Sequence, residues 1–237
     1  MSNCLVALDL ETTGLNPKTD RILEIGAVKI KEGVITDTFS VFVNSGVRVS
    51  EFIKNLTGIT DEMVKSGVPV KEAMEGLLSF CEGADILGHN ILFDYSFLKR
   101  NAVNLGYSFE KNGIDTLQIA KKFLGELPSR SLAALCTHYG ILQEKQHRAF
   151  EDAISAYQLY QCMKKEFEAA NPAAFEPKEL VYQIKKESPI TISQKRYLND
   201  LLKYHRIELD VAIESLTKNE ASRTIDIILS QHGKIKR

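Results

Sequence analysis

Tryptophan is absent from this chain of 237 residues, and cysteine is scarce at four. Cys4, Cys81, Cys136 and Cys162 lie far apart, with no CxxC pair among them. That excludes a structural zinc site of the usual spacing and a disulfide framework, and leaves four reduced, mostly buried thiols. Long apolar runs are missing too. None approaches the roughly 18 residues that a membrane span needs, and no basic stretch followed by an apolar core opens the chain. The expectation is a cytoplasmic protein without membrane contact. Charge of one sign is also lacking. Thirty Lys/Arg against 31 Asp/Glu give a formal net charge of −1, which by itself draws the chain to no polyanion. A hydrophobic share of 44% excludes wholesale disorder. The length allows one full domain plus a smaller one.

The charge that is present is unevenly placed. From Lys185 to Arg237 there are eleven Lys/Arg and seven Asp/Glu, net +4, which leaves −5 for the remainder. An acidic body with a basic tail suggests two jobs, although a solvated charge fluctuation explains the same count.

The first segment, Cys4–Glu11, is apolar and β-branched enough for a buried strand, broken at Gly14. Arg21–Ile30 and Val34–Val43 read as two further strands, joined by a hairpin signal at Lys31, Glu32 and Gly33. Helical spacing follows over Val70–Phe80, after Pro69. Ala84–Asn90 reads as a short strand, and Phe93–Leu105 as an amphipathic helix. Ile114–Leu124 is a turn leading into a helix, and Ser131–His138 and Ala149–Phe167 complete the set. Strands alternating with helices indicate an α/β domain with a mixed sheet flanked by helices. Two prolines in Glu168–Pro177, and Pro189 beyond, mark a linker over 168–189. After it come two capping-box patterns, Thr191-x-x-Gln194 and Thr217-x-x-Glu220, each ahead of an apolar stripe. A short helix is expected between them over Asp210–Leu216. Residues 190–237 therefore read as a small helical domain near the lower size limit for folding alone.

Asp9 and Glu11 stand two apart on the first strand, so both carboxylates point to one face close to its end. A like-charge pair leaving a hydrophobic strand is costly unless a cation neutralises it, and hard oxygen ligands suit Mg²⁺ or Mn²⁺. The same pattern also occurs at solvated strand ends. Asp94 opens a helix, where its charge favours the helix dipole or adds to the acidic pair. His147 and Asp152 are five apart, about 140° on an ideal helix. They converge only if His147 lies in the loop before a helix and Asp152 in its first turns. Ala149, Ala153 and Ala156 keep that helix slim enough to approach the sheet closely.

The stretches DLETTGL, HNILFDYSFL and HRAFEDA, in that order and at that spacing, resemble the three motifs of the DEDDh 3′–5′ exonucleases. That family includes the proofreading exonucleases of bacterial DNA polymerase III. EIGAVKI, LTGIT and IDTLQIAKKFL agree with it, and the resemblance covers roughly residues 1–165. It implies a ribonuclease H-like sheet, a three-strand antiparallel meander plus further strands, over an exonuclease domain 1–167. It implies two Mg²⁺ or Mn²⁺ ions, with Asp9 bridging both. Glu11 and Asp152 complete the site of the water-activating ion, Asp94 holds the second, and His147 is the general base. The implied substrate is nucleic acid with a single-stranded 3′ end, released as nucleoside 5′-monophosphates. Thr12 and Thr13 are placed to touch the terminal nucleotide by backbone or hydroxyl, and Leu15 and Phe93 to press on its base or sugar. Asn90 supports the site or caps a loop. Arg148 meets phosphate or is a plain solvated charge. His89, His138, His205 and His232 are structural or lie on the surface. A DNA polymerase or another replication protein is the implied partner. A freestanding RNA-directed exonuclease, or a non-catalytic binding module on the same fold, is the alternative. The tail either holds nucleic acid or a partner, or packs on the main domain.

Overall fold

A computed structural model describes residues 4–143 and 146–235; expectations for residues 1–3, 144–145 and 236–237 lie outside them. The first three strands are β1 (Cys4–Thr12), β2 (Ile22–Lys31) and β3 (Val34–Asn44), an antiparallel meander as expected. Glu32 and Gly33 join β2 to β3 with φ of 51° and 81°. Two consecutive left-handed residues give the hairpin turn whose twist matches the strands. Then come α1 (Glu51–Thr57), α2 (Asp61–Ser66), β4 (Val68–Pro69), α3 (Val70–Phe80), β5 (Asp85–Gly88), α4 (Ile91–Leu105), β6 (Asn112–Asp115), α5 (Thr116–Phe123), α6 (Leu132–Tyr139) and α7 (Ala149–Phe167). The sheet runs β4-β3-β2-β1-β5-β6-β7, where β7 is Lys178–Glu179. β1 is antiparallel to β2 and parallel to β5, so it is the line along which the sheet becomes mixed.

Alternation along β1 divides its side chains between two cores. Val6, Leu8 and Leu10 join the cluster with Met74, Leu77, Tyr95, Phe97 and Leu98 of α3 and α4. Ala7 joins Ala156, Leu159, Tyr160 and Met163 of α7 on the other face. By the same period of two, Asp9 and Glu11 lie on the α7 face at the carboxyl end of the strand. α7 packs across β1 and β2. Its approach is so close that a Cβ on Gly26 of β2 would lie 2.1 Å from the Phe150 backbone nitrogen. Only glycine fits there, and the small Ala149 and Ala153 are fully buried on the same helix.

Three expectations need adjustment, and one stretch carried none. Residues 51–66 carry two helices of seven and six residues that no periodicity announced. Ile114 belongs to a strand, β6, before the helix begins at Thr116. The expected short helix over 210–216 shrinks to a 3₁₀ turn at Ile213–Ser215. The proline-marked segment is no free tether. β7 pairs antiparallel with β6, Phe175 is buried against Tyr160 and Phe123, and Leu180 donates its N–H to Lys111. Beyond it, α8 (Ile192–His205) and α9 (Lys218–His232) each start at a complete capping box, on Thr191 with Gln194 and on Thr217 with Glu220. They close a separate small core of Leu198, Leu201, Leu216, Ala221 and Ile228.

Candidate active site

The carboxyl end of β1 delivers Asp9 and Glu11 side by side. Asp94 arrives from the first turn of α4, buried, and accepts the Leu10 N–H at 3.1 Å. That bond ties the helix start to the strand between the two strand acids. Asp152 arrives from the first turn of α7, on the same sheet face as Asp9 and Glu11.

The five-residue spacing of His147 and Asp152 resolves as the helical geometry requires. His147 lies in the loop before α7 with φ of 58°, and donates its backbone N–H to Asp152 Oδ2 at 3.0 Å. Its imidazole is exposed. Donor atoms of Glu11, His147 and Asp152 lie within 4.8 Å of one another. Gln143 donates its side-chain amide to Asp152 Oδ1 at 3.2 Å, so both oxygens of that carboxylate are held. Sequence reading missed Gln143, since nothing local marks a glutamine nine residues upstream.

The electrostatics are those of acids packed without enough positive charge. Burial, then the neighbouring Asp94, Asp152, Glu11 and Glu24, push Asp9 well above the usual carboxylate range. Burial also pushes Asp94 well up, against the opposing bonds from its own N–H and that of Leu10. Burial, with Asp152 and Glu24, pushes Glu11 up to about 8, and burial pushes Asp152 to about 6. Arg148 is the cation that lowers Glu11, but it is committed elsewhere. Its guanidinium pairs with both oxygens of buried Glu24, at 3.1 and 2.8 Å, and lies over the Phe42 ring. Glu24 sits opposite Glu11 in the β1–β2 register and also accepts the Ala149 N–H. Arg148 is therefore not a plain solvated charge; with Glu24 it seats the start of α7 on β2. The four acids supply hard oxygen donors, crowded and short of countercharge, a set that fits divalent cations.

The remaining expected site residues separate. The Thr12 hydroxyl bonds to Gly14 O at 2.7 Å. The Thr13 hydroxyl bonds to Asp20 and accepts the Arg21 N–H. Both hydroxyls are thus used inside the β1–β2 loop. A Cβ on Gly14 would lie 2.6 Å from the Asp20 carboxylate, so a larger residue there requires that side chain to shift. Leu15, in the loop after β1, is 84% exposed. Phe93 is half-buried against Phe97. Asn90 precedes α4 with φ of 70° and an exposed side chain that caps nothing; its N–H goes to Asp115. His89 is structural, held between Thr116 and Arg130 O. Among the described residues no cysteine is in a disulfide. Among the described residues no helix is long and apolar enough to cross a membrane.

Residues 6–160 match the family model RNase_T, described as an exonuclease. The chain is 40% identical over 155 residues to the PolC-type DNA polymerase III of Caldanaerobacter subterraneus subsp. tengcongensis, covering 65% of this chain and 11% of that one. It is 38% identical over 156 residues to the PolC-type DNA polymerase III of Thermotoga maritima, with the same two shares. It thus spans about a tenth of the length of those polymerases. Among solved structures, it resembles E. coli exonuclease I in complex with a dT13 oligonucleotide, with a TM-score of 0.64 at 20% identity over 71% of this chain and 42% of that one. The zinc-bound complex of the same enzyme with single-stranded DNA gives 0.64 at 20% identity, over 74% and 42%. At that identity the likeness is one of fold.

Proposed function

Since this chain belongs to the RNase T exonuclease family, we propose that it is a metal-dependent 3′–5′ exonuclease. It removes nucleoside 5′-monophosphates from the single-stranded 3′ end of nucleic acid, with DNA as substrate. The observation that carries this is the convergence of Asp9, Glu11, Asp94 and Asp152, raised by burial and mutual repulsion, beside the exposed imidazole of His147. The relation to PolC-type polymerases, and the oligonucleotide complexes of exonuclease I, support DNA over RNA and a proofreading or replication setting with a polymerase as partner.

Asp9 would serve both of two Mg²⁺ or Mn²⁺ ions, with Glu11 and Asp152 completing one site and Asp94 the other. Bound there, the pair supplies Lewis-acid stabilisation of the attacking and leaving oxygens and a more acidic attacking water. The chain's own residues do the rest. Gln143 and the His147 N–H fix the Asp152 carboxylate by one hydrogen bond to each oxygen. The Leu10 N–H fixes Asp94. His147, with its ring open to the cleft, takes the proton from the attacking water as general base. Leu15, exposed in the loop after β1, and Phe93 press on the terminal nucleotide without reading its base. Thr12 and Thr13 contribute through the loop they close, and Asn90 through the turn it forms with Asp115.

The test is release of 5′-monophosphates from 3′-labelled single-stranded DNA and matched RNA, with Mg²⁺, with Mn²⁺ and in excess chelator. Turnover of DNA with either metal, none in chelator, and slower turnover of RNA is expected. Full activity in chelator would refute the proposal, and equal turnover of RNA would refute the DNA preference.

A second expectation follows from the same acids. Glu11 and Asp152 have folded-state values above their unfolded ones. The folded chain therefore holds more protons, and their contribution to stability falls as pH rises from about 4 to about 8. His89, lowered by burial, works the other way near neutrality. It does not differ between metal-free and metal-bound protein, so the difference between them isolates the acids. The gain in Tm on adding Mn²⁺ to chelator-treated protein should grow from pH 5 to pH 8. Parallel Tm curves with and without metal would contradict it.

A further inference from the structure

The basic tail is fixed against the catalytic end of the sheet. Glu220, in the first turn of α9, accepts the Thr217 N–H and pairs with Arg21 at 2.8 Å, both side chains 13% exposed. Arg21 closes the β1–β2 loop, donating its N–H to the Thr13 hydroxyl and accepting the Thr13 N–H, both at 2.9 Å. Arg100 of α4 extends the network to Glu187 at 2.5 Å, with Glu220 3.8 Å away. A second seam runs between 210–212 and the loop after β3. Arg48 donates to Asp210 O at 2.7 Å, and Ala212 donates to Gly46 O at 2.6 Å. The Arg21 contact and the second seam lie at the end of the sheet where β1 finishes, the end that carries Asp9 and Glu11. The helical unit therefore stands as a wall beside the loop that carries Leu15.

The open face of that wall has a definite chemistry. α8 turns Leu198 and Leu201 onto α9 and leaves Arg196, Tyr197, Lys203 and Tyr204 exposed. Arg196 and Lys203 are seven apart, as are Tyr197 and Tyr204, so all four share one helix face. The rings are 39% and 47% exposed. Among the described residues neither Arg196 nor Lys203 forms an ion pair, whereas Lys195 is tied to Glu214. Arg206 follows at the end of the helix, exposed. Cations for phosphates alternating with aromatic faces for bases are what a single strand needs, and that pairing is tolerant of sequence. A protein partner would ask for a larger apolar patch than two tyrosines with polar tips and Ile192, 82% exposed one turn before Arg196. The positive tail also complements a polyanion that the acidic body repels.

We infer that this face of α8 holds the single-stranded stretch of the substrate that leads to the 3′-terminal nucleotide. The inference takes the nature of the strand from the exonuclease reading, but its test is binding, measured without turnover. In chelator, the full-length protein is titrated against a fluorescent dT16 oligonucleotide and against dT3. Arg196→Gln with Lys203→Gln should weaken dT16 binding about tenfold at low salt. It should also reduce the slope of log affinity against log salt by about 1.4, two contacts at about 0.7 each for a single strand. The dT3 affinity, and turnover of dT3 with metal, should not change. Asp200 interrupts the same face, so Asp200→Asn should tighten dT16 binding, an effect that a misfolded variant cannot imitate. Unchanged dT16 affinity in both variants overturns the inference, whatever the nuclease activity. If the protein lacks nuclease activity yet binding responds as described, the surface stands and the catalytic reading falls. Equal losses for dT3 and dT16 overturn the placement on α8.

Discussion

Asp9→Asn is expected to abolish turnover and, in the same protein, to raise the Tm of the metal-free state. The two effects have one cause. Asp9 sits among Asp94, Asp152, Glu11 and Glu24, and burial with their repulsion already makes its ionised form costly. Replacing the carboxylate by an amide of the same shape removes that repulsion. For a chain of this length each kcal/mol of relief corresponds to about 2–4 °C. The loss of activity should be on the order of 10³-fold or more. A single well-aimed charge-stabilising group is worth 10²–10³, and Asp9 is proposed to serve both ions. Asp152→Asn should be comparably inactive but gain less stability. Its carboxylate accepts the His147 N–H and the Gln143 amide, and an amide at that position loses one of these partners. Paired measurements of turnover and of Tm, in chelator and in Mn²⁺, separate the outcomes. An Asp9→Asn protein with near-normal turnover, or one that is simply less stable without metal, would sink this account.

Much of the site is readable in the sequence because it rests on periodicity. Two-residue spacing puts Asp9 and Glu11 on one face, and the angular step of a helix forces His147 out of α7. The backbone meets that demand with a left-handed residue at His147. What stays hidden depends on register and on long-range closure. Glu24 lies within an ordinary strand. Its meaning comes from pairing opposite Glu11 and from Gly26 letting α7 settle on β2. Arg148 looks free in the sequence because its partner is 124 residues away. The Thr13 hydroxyl looks available because the loop that consumes it closes on Asp20, seven residues on. α1, α2, β4 and β7 are too short for any period to register. The proline-marked segment reads as a tether because prolines interrupt pattern, yet Phe175 and β7 bind it to the sheet. The tail is legible through its capping boxes, which are local. Its anchorage through Glu220, Arg21 and Arg100 is not local.

His147→Ala should lower turnover by roughly 10²–10⁴-fold, the range for loss of a general base, while leaving the metal-induced rise in Tm in place. The backbone separates the two roles. Asp152 receives its bond from the His147 N–H, not from the ring, so alanine preserves the carboxylate's setting and removes only the imidazole. The residue's φ of 58° provides an internal control. A side chain there carries strain of about 1 kcal/mol or more that glycine lacks. That relief at least matches the glycine's extra unfolded-chain freedom of about 0.5–1 kcal/mol, so His147→Gly should be at least as stable as His147→Ala, and just as inactive. Added imidazole should restore part of the turnover of both variants, because the space and the water it must deprotonate remain. A structural role predicts the reverse pattern, in which activity follows stability and imidazole does nothing. Near-normal turnover in His147→Ala would assign the proton transfer to another group, and loss of the metal-induced Tm shift would make His147 a ligand rather than the base.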